Sequence, residues 1–444
     1  MEEKIMKKFF AALLACGLAF GLTACSGGTP KNEPAAESQA ATQKGEGNEA
    51  SEAAGKTPQD FKKFKIGVAE VQANDESIQR RSYFEDYVAP RYNVEFVFSE
   101  QVSDTEKLLT FIENCADAGC DAVISYNNDD IEQMTQVCQE YGMKYIVNTV
   151  RINPKTEAAF AGGYDNFAAF GSNQTAIAEV FSDWLKENAS EDGSEGFLIC
   201  SGLAYTGNLQ QTEITQACLK SLSELYGLTY EEDFDALVTS SAPIEAVNDK
   251  GINIYVYPGH VTRVEGYLQG LTAALQTGKY GVMLQSVQLY DQTGVIVQET
   301  EAAIGKDIKV AGVATIAESL HTAFKTKDQF GNPTINMATV KPVSLLCAAG
   351  FSQAYNLLTG YESATLAPNG DAGMLNSSLW PITKLEDLDI ASKWDVPKGD
   401  KWIVGYNIID SMLGIYHPDI TNGDIQSIVD SITYESTLIR LGDK

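Results

Sequence analysis

The chain has 444 residues, 44% of them hydrophobic, with 60 acidic side chains against 32 basic ones and a formal net charge of −28 at pH 7. That charge argues against a nucleic acid or an anionic membrane surface as partner, and weakly favours a neutral or cationic ligand. The hydrophobic content is ordinary for a globular protein, and the length fits two domains once a polar leader is set aside.

Met6-Lys7-Lys8 followed by the apolar run Phe9 to Leu22 has the form of a basic n-region and an h-region. Glu2 and Glu3 are unusual in such a position and make Met6 an alternative start to Met1. The run closes on Leu22-Thr23-Ala24-Cys25, which resembles the bacterial lipobox and implies a lipidated Cys25; an ordinary signal peptide with a chance cysteine is the alternative. A membrane-spanning helix needs ~20 apolar residues. The h-region is shorter, and no other run reaches that length, so the mature chain is expected to be soluble and tethered. Residues 26–60 are Ala, Ser, Glu, Gln, Gly, Lys and Thr with almost no large apolar side chains, a composition that cannot bury a core. They are expected to form a flexible tether.

The first ordered stretch is Phe64-Lys65-Ile66-Gly67-Val68-Ala69-Glu70-Val71, short and β-branched, which predicts a buried strand. The polar turn Gln72-Ala73-Asn74-Asp75 follows, then a helical pattern from Ser77 to about Val88, with Pro90 as its expected stop. Strand-like Asn93–Phe98, helical Thr105–Ala118, strand-like Asp121–Ser125, the turn Tyr126-Asn127-Asn128-Asp129-Asp130, helical Ile131–Tyr141 and strand-like Lys144–Val150 continue the alternation. A second block begins near Gly163. It predicts helices at 173–188, 210–226, 260–275 and 295–304, and strands at 196–200, 252–257, 280–284, 308–313 and 335–340. Strands alternating with helices imply parallel sheets covered on both faces. Beyond Tyr361 the pattern fades; Lys401–Tyr406 reads as a strand and Gly423–Ile439 as a helix. Trp380 and Trp402 read as core aromatics, with entry into a cleft as the other option.

Cys115, Cys120, Cys138, Cys200, Cys218 and Cys347 sit in apolar patterns and read as small buried hydrophobes, although one Cys115–Cys120 bridge is conceivable. His260, His321 and His417 are far apart and lack ligand spacing, so no metal is expected. There is no Gly-x-Ser-x-Gly elbow, phosphate loop or dinucleotide fingerprint, so neither a cofactor nor a catalytic residue is assigned.

The order and spacing of Ala116-Asp117-Ala118-Gly119-Cys120-Asp121-Ala122-Val123-Ile124, Gly142-Met143-Lys144-Tyr145-Ile146-Val147, and Ile335–Val340 followed by Pro342–Gly360 resemble the type I periplasmic binding proteins, the ribose- and galactose-binding receptors of ABC transporters. The resemblance covers about residues 63–360. It implies an α/β fold of two doubly wound parallel-sheet lobes joined by crossover hinge strands, with ligand held between them. The implied bounds are 1–25 leader, 26–60 tether, 61–163 first lobe completed by about 342–360, 164–341 second lobe, and 361–444 an extension packed on the lobes. Hinges are expected near Gly162, Gly163 and the Val340–Pro342 crossover.

Family contacts carried over by position fall on Gln72 and Asn74 after the first strand, on Tyr126, Asn127 and Asn128 after the third, and on Arg151 after the fourth. In the second lobe they fall on Tyr205 and Gln285. Aromatic faces suit sugar rings, and a guanidinium fork suits adjacent hydroxyls. The chain departs from the family where Val150 replaces the carboxylate before the Arg, where Ala314-Thr315 stands for an Asp, and where Val340-Lys341 stands near a common Gln. The expected function is therefore an extracytoplasmic, lipid-anchored and monomeric solute-binding protein that delivers a small polar, sugar-like ligand to an ABC permease. A receptor subunit for a membrane kinase, a nucleoside- or amino-acid-binding lipoprotein, and an exported hydrolase are the alternatives.

Overall fold

The computed structural model describes residues 56–150, 166–377 and 379–441. Among these no helix is long and apolar enough to cross a membrane.

The chain enters at β1 (Phe64–Glu70) and turns into α1 (Asp75–Ser82), whose start is fixed by a capping box. Asn74 Oδ1 accepts from Ser77 N at 2.9 Å, and Asn74 N donates to Ser77 Oγ at 3.0 Å. The helix does not stop before Pro90. It widens into a π turn (Tyr83–Val88) and continues through Ala89–Tyr92. The Ala89 N–H reaches back to Phe84 O, so the proline stands at the head of a fresh turn where its missing N–H costs little. Asn93, at φ 52, ends it.

β2 (Val94–Gln101), α2 (Thr105–Asp117), β3 (Ala122–Ser125), α3 (Ile131–Glu140) and β4 (Lys144–Asn148) follow the expected alternation. Then comes β5 (Phe167–Ser172), which the sequence pattern had given to the second lobe. It pairs with β4 and belongs to the first sheet, so the first lobe extends past 163. Its small residues and Gly171 hide a fully buried strand behind a loop-like composition.

The second lobe comprises α4 (Gln174–Asn188), β6 (Phe197–Gly202), α5 (Leu209–Tyr226), β7 (Ile244–Glu245), β8 (Ile254–Pro258), α6 (Tyr267–Gln276), β9 (Val282–Gln285), α7 (Tyr290–Ile304), β10 (Lys309–Ala314), α8 (Glu318–Lys325) and β11 (Met337–Val340). The helix expected from 260 begins only at Tyr267, because Gly266 at φ 74 breaks any earlier turn. The chain returns to the first lobe through α9 (Val343–Thr359), which packs on β3, β4 and β5, and then adds β12 (Met374–Ser377) to the first sheet. It crosses once more to β13 (Trp380–Ile382), antiparallel to β11.

The first sheet runs β12-β5-β4-β3-β1-β2, all parallel; the second runs β13-β11-β10-β9-β6-β8-β7, antiparallel only at its two edges. The C-terminal stretch is thus an integral part of both sheets, and its helices α10 (Leu385–Ala391), α11 (Tyr406–Ser411), α12 (Asn422–Asp430) and α13 (Tyr434–Arg440) complete it.

Lys401–Tyr406 is not a strand. Its backbone is taken up by side chains: Asp395 accepts from Ile403 N at 2.8 Å, Ser344 Oγ accepts from Val404 N at 3.1 Å, and Tyr83 OH donates to Val404 O at 2.8 Å. The helix expected over 423–439 splits because Thr433 and Ser436 cap a new start. Trp380 and Trp402 are both core residues, 2% and 3% exposed. The six cysteines are buried, unbridged thiols.

Candidate functional site

Every crossing between lobes leaves from the C-terminal end of a strand: after Ser172, after Val340 and after Ser377. The C-terminal edges of both sheets therefore meet at the junction, the place where open parallel sheets hold ligands. The first and third crossings are stitched together, Asn173 N donating to Ser377 O at 2.9 Å and Ser377 Oγ to Gly171 O at 3.0 Å. Gly171 is required there, since a Cβ would lie 1.7 Å from the Thr149 carbonyl oxygen. A further link spans the junction directly, from Gln79 Nε2 to Ile316 O at 2.7 Å.

Behind the first-lobe edge lies a buried charge cluster absent from the sequence-based site. Arg80 sits 3.3 Å from Glu70 and 3.1 Å from Glu76, and Lys341 on the second crossing reaches Glu76 at 3.5 Å. The Arg80 guanidinium covers the Tyr126 ring, 3.3 Å from its centroid. Burial raises the Glu70 carboxyl to about 7 despite the Arg80 charge. Burial acts on Glu76 in the same sense, but Lys341 and Arg80 outweigh it and hold that carboxyl below its usual value. The signal for this cluster was present in the sequence: Arg80 shares a helix stripe with the core residues Tyr83 and Phe84 and the half-buried Tyr87, whereas its neighbour Arg81 faces solvent.

The structure brings Gln72, Asn74, Tyr126, Asn127 and Asn128 to the first-lobe edge, and Tyr205 and Gln285 to the second. Several are already engaged. Asn74 is the helix cap. Tyr126 has one face under Arg80, its edge against Phe170 and its hydroxyl on Cys347 Sγ at 3.6 Å, so it is not a free stacking platform. Asn127 braces its own loop, donating to Val102 O at 3.1 Å and accepting from Asp129 N at 2.7 Å. Gln285 is fully buried and donates to Thr293 Oγ1 at 3.0 Å, which turns it under α7. Gln72 and Asn128 are exposed, and Tyr205 is half-buried in a 3₁₀ turn after β6. Arg151, Gly162, Gly163 and Cys25 lie outside the described residues.

The crevice also holds groups that sequence reasoning missed. Asp291 opens α7, and burial, with Asp75 across the junction adding to it, raises its carboxyl against the opposing effects of local N–H groups and His260. Burial lowers the His260 imidazole, with Asp291 working the other way. A first-lobe carboxylate, Asp75, is thus near enough to act on Asp291 of the second lobe.

Beside these groups a hollow of about 420 Å³ runs between Asp75, Ile78 and Gln79 of α1, Ile316, Ala317 and the first turn of α8, and Trp394. That volume suits a small ligand. A larger hollow of about 580 Å³ at Glu195, Val282 and Lys306 lies at the N-terminal ends of β9 and β10, remote from the crossings. Within the smaller one, His321 joins Ser392 Oγ (2.8 Å from Nε2) to Asp389 (3.3 Å from Nδ1). This superficially matches a hydrolytic triad, but the Ser392 N–H that would face an oxyanion is bonded to Leu388 O, and Asp389 is half-exposed. The contact clamps α8 to the end of α10.

Two parallel-sheet lobes, three crossings and a crevice at facing strand ends define the type I periplasmic binding protein fold. Among solved structures, the chain is similar to an ABC transporter solute-binding protein from Bacillus halodurans with bound myo-inositol, at TM-score 0.52 and 14% identity over 75% of this chain and 98% of that one. It is also similar to a periplasmic solute-binding protein of an ABC transporter from Actinobacillus succinogenes with bound D-allose (TM-score 0.54, 15% identity, 74% and 100% covered). A third is the 5-methylthioribose transporter solute-binding protein from Thermotoga lettingae with that ligand (TM-score 0.53, 12% identity, 84% and 99% covered). No protein-family model and no curated protein matches the chain.

Proposed function

We propose that the chain is an extracytoplasmic solute-binding protein that captures a small polar molecule, a sugar or close relative, between its lobes and presents it to an ABC permease. The observation that carries this reading is the meeting of two parallel-sheet C-terminal edges across three chain crossings, an architecture shared with structures that hold inositol, allose and methylthioribose. The crevice chemistry supports it. Asp75 and Asp291 are acceptors for hydroxyl hydrogens, and Gln72, Asn128, Arg151 and Tyr205 are the remaining contacts we assign, with Tyr205 as the stacking ring. Facing carboxylates and the net charge of −28 disfavour an anionic solute. Binding is reversible, without turnover, and the protein acts as a monomer moored through lipidated Cys25.

Closure turns on the crossings, Val340–Pro342 among them, because a ligand that touches both lobes stabilises only the shut form. Moving such a clamp from mostly open to mostly shut takes ~5 kcal/mol of differential binding. A thermal-shift panel of neutral sugars, polyols, nucleosides, amino acids and sugar phosphates tests the reading. One neutral polyhydroxylated solute should raise the Tm by mass action while sugar phosphates leave it unchanged. Conversion of a solute into product would instead identify an enzyme.

A further inference from the structure

At the far end of the second lobe, away from the crevice, three carboxylates converge from separate segments: Glu301 near the end of α7, Asp307 just before β10, and Asp328 in the loop after α8. One oxygen of each lies within 4.8 Å of the other two. Each carboxylate also accepts a hydrogen bond that orients it. Glu301 Oε1 accepts from Ile308 N at 2.8 Å, Asp307 Oδ2 from Asn332 Nδ2 at 3.1 Å, and Asp328 Oδ1 from Phe330 N at 2.7 Å and Asn332 N at 2.9 Å. Gln329 Nε2 ties the loop to Glu301 O at 2.7 Å.

What remains is two buried oxygens, Glu301 Oε2 and Asp307 Oδ1, with no hydrogen-bond donor among the described residues. Glu301 is only 1% exposed, so water does not solvate its free oxygen. Nor does any ion pair among the described residues include these three side chains. Carboxylates held this close repel one another unless a cation or a shared proton lies between them.

We propose that Glu301, Asp307 and Asp328 hold a calcium ion that pins α7, the turn into β10 and the loop before β11 together. The donors are all hard oxygens, with no imidazole or thiolate, which favours calcium over zinc. Three carboxylates from separate segments, with waters filling an irregular coordination shell, suit calcium better than magnesium, which demands near-octahedral geometry. The bonds that orient each carboxylate play the part of outer-shell partners. This site stands independently of what the crevice holds.

The test is calorimetric titration of the intact protein, stripped with chelator, with calcium chloride, followed by melting curves in calcium, magnesium or chelator. One saturable calcium per chain is expected, with a Tm rise of roughly 2–4 °C that magnesium does not reproduce. Asp328→Asn keeps the loop's acceptor for Phe330 and Asn332 but removes the charge, and should weaken calcium binding at least tenfold. Glu301→Gln should do the same. Absence of saturable calcium binding by the wild-type protein overturns the proposal. So does binding that both variants retain, or a Glu301→Gln protein that is stabilised while calcium has no effect, which would identify a proton-sharing pair.

Discussion

Arg80 carries its charge into a site where it is only 5% exposed, and the cluster around it explains why the charge persists there. Transferring such an ion from water costs several kcal/mol, which Glu70, Glu76 and the Tyr126 face offset. Glu70 is the strained member, because burial lifts its carboxyl to about 7 from 4.5. The folded state therefore holds this proton more tightly than the unfolded chain does. The resulting stability is present in full below about pH 4.5 and is lost as the pH rises through about 7. At about 1.4 kcal/mol per pH unit the loss reaches roughly 3 kcal/mol. Glu70→Gln should accordingly flatten the decline in Tm between pH 5 and 8; an unaltered decline would show that the proton resides elsewhere. At this scale the sequence was only partly legible. Tyr126 follows the third strand as its pattern predicts, but the Arg80 that covers its ring comes from α1. Nor does a turn-forming Asn announce whether it will cap a helix, as Asn74 does, brace a loop, as Asn127 does, or stay open to solvent, as Asn128 does.

Among the elements, alternation of strand and helix was readable wherever β-branched runs met amphipathic stripes, and failed where side chains replaced the ladder. β5 is small-residue rich and was missed; Lys401–Tyr406 has a strand's composition, yet its amides bind Asp395 and Ser344. Asp395 is the keystone there. Only 2% exposed, its carboxylate accepts from Ser344 N, Ser344 Oγ and Ile403 N, which fastens the C-terminal segment to the first turn of α9. Asp395→Ala leaves buried donors without partners, each worth about 1–3 kcal/mol. The expected loss is roughly 3–5 kcal/mol in urea denaturation, with the m-value kept if both lobes still unfold together. A loss below about 1 kcal/mol would mean that the segment is not held there.

For the molecule as a whole, the two-lobed architecture followed from the order of the early motifs, while the contribution of the last eighty or so residues did not. They supply an edge strand to each sheet and a third crossing, which the sequence does not show because β12 and β13 are too short to register as periodic patterns. Three tethers at one junction put the hinge of the proposed clamp at the crossings, and under the proposed function a small neutral polyhydroxylated molecule drives the shutting. Small-angle X-ray scattering from residues 56–444, titrated with the solute that raises the Tm, tests it most directly. A saturable fall in the radius of gyration, with one molecule bound per chain, is expected. An unchanged radius of gyration at saturation would contradict it.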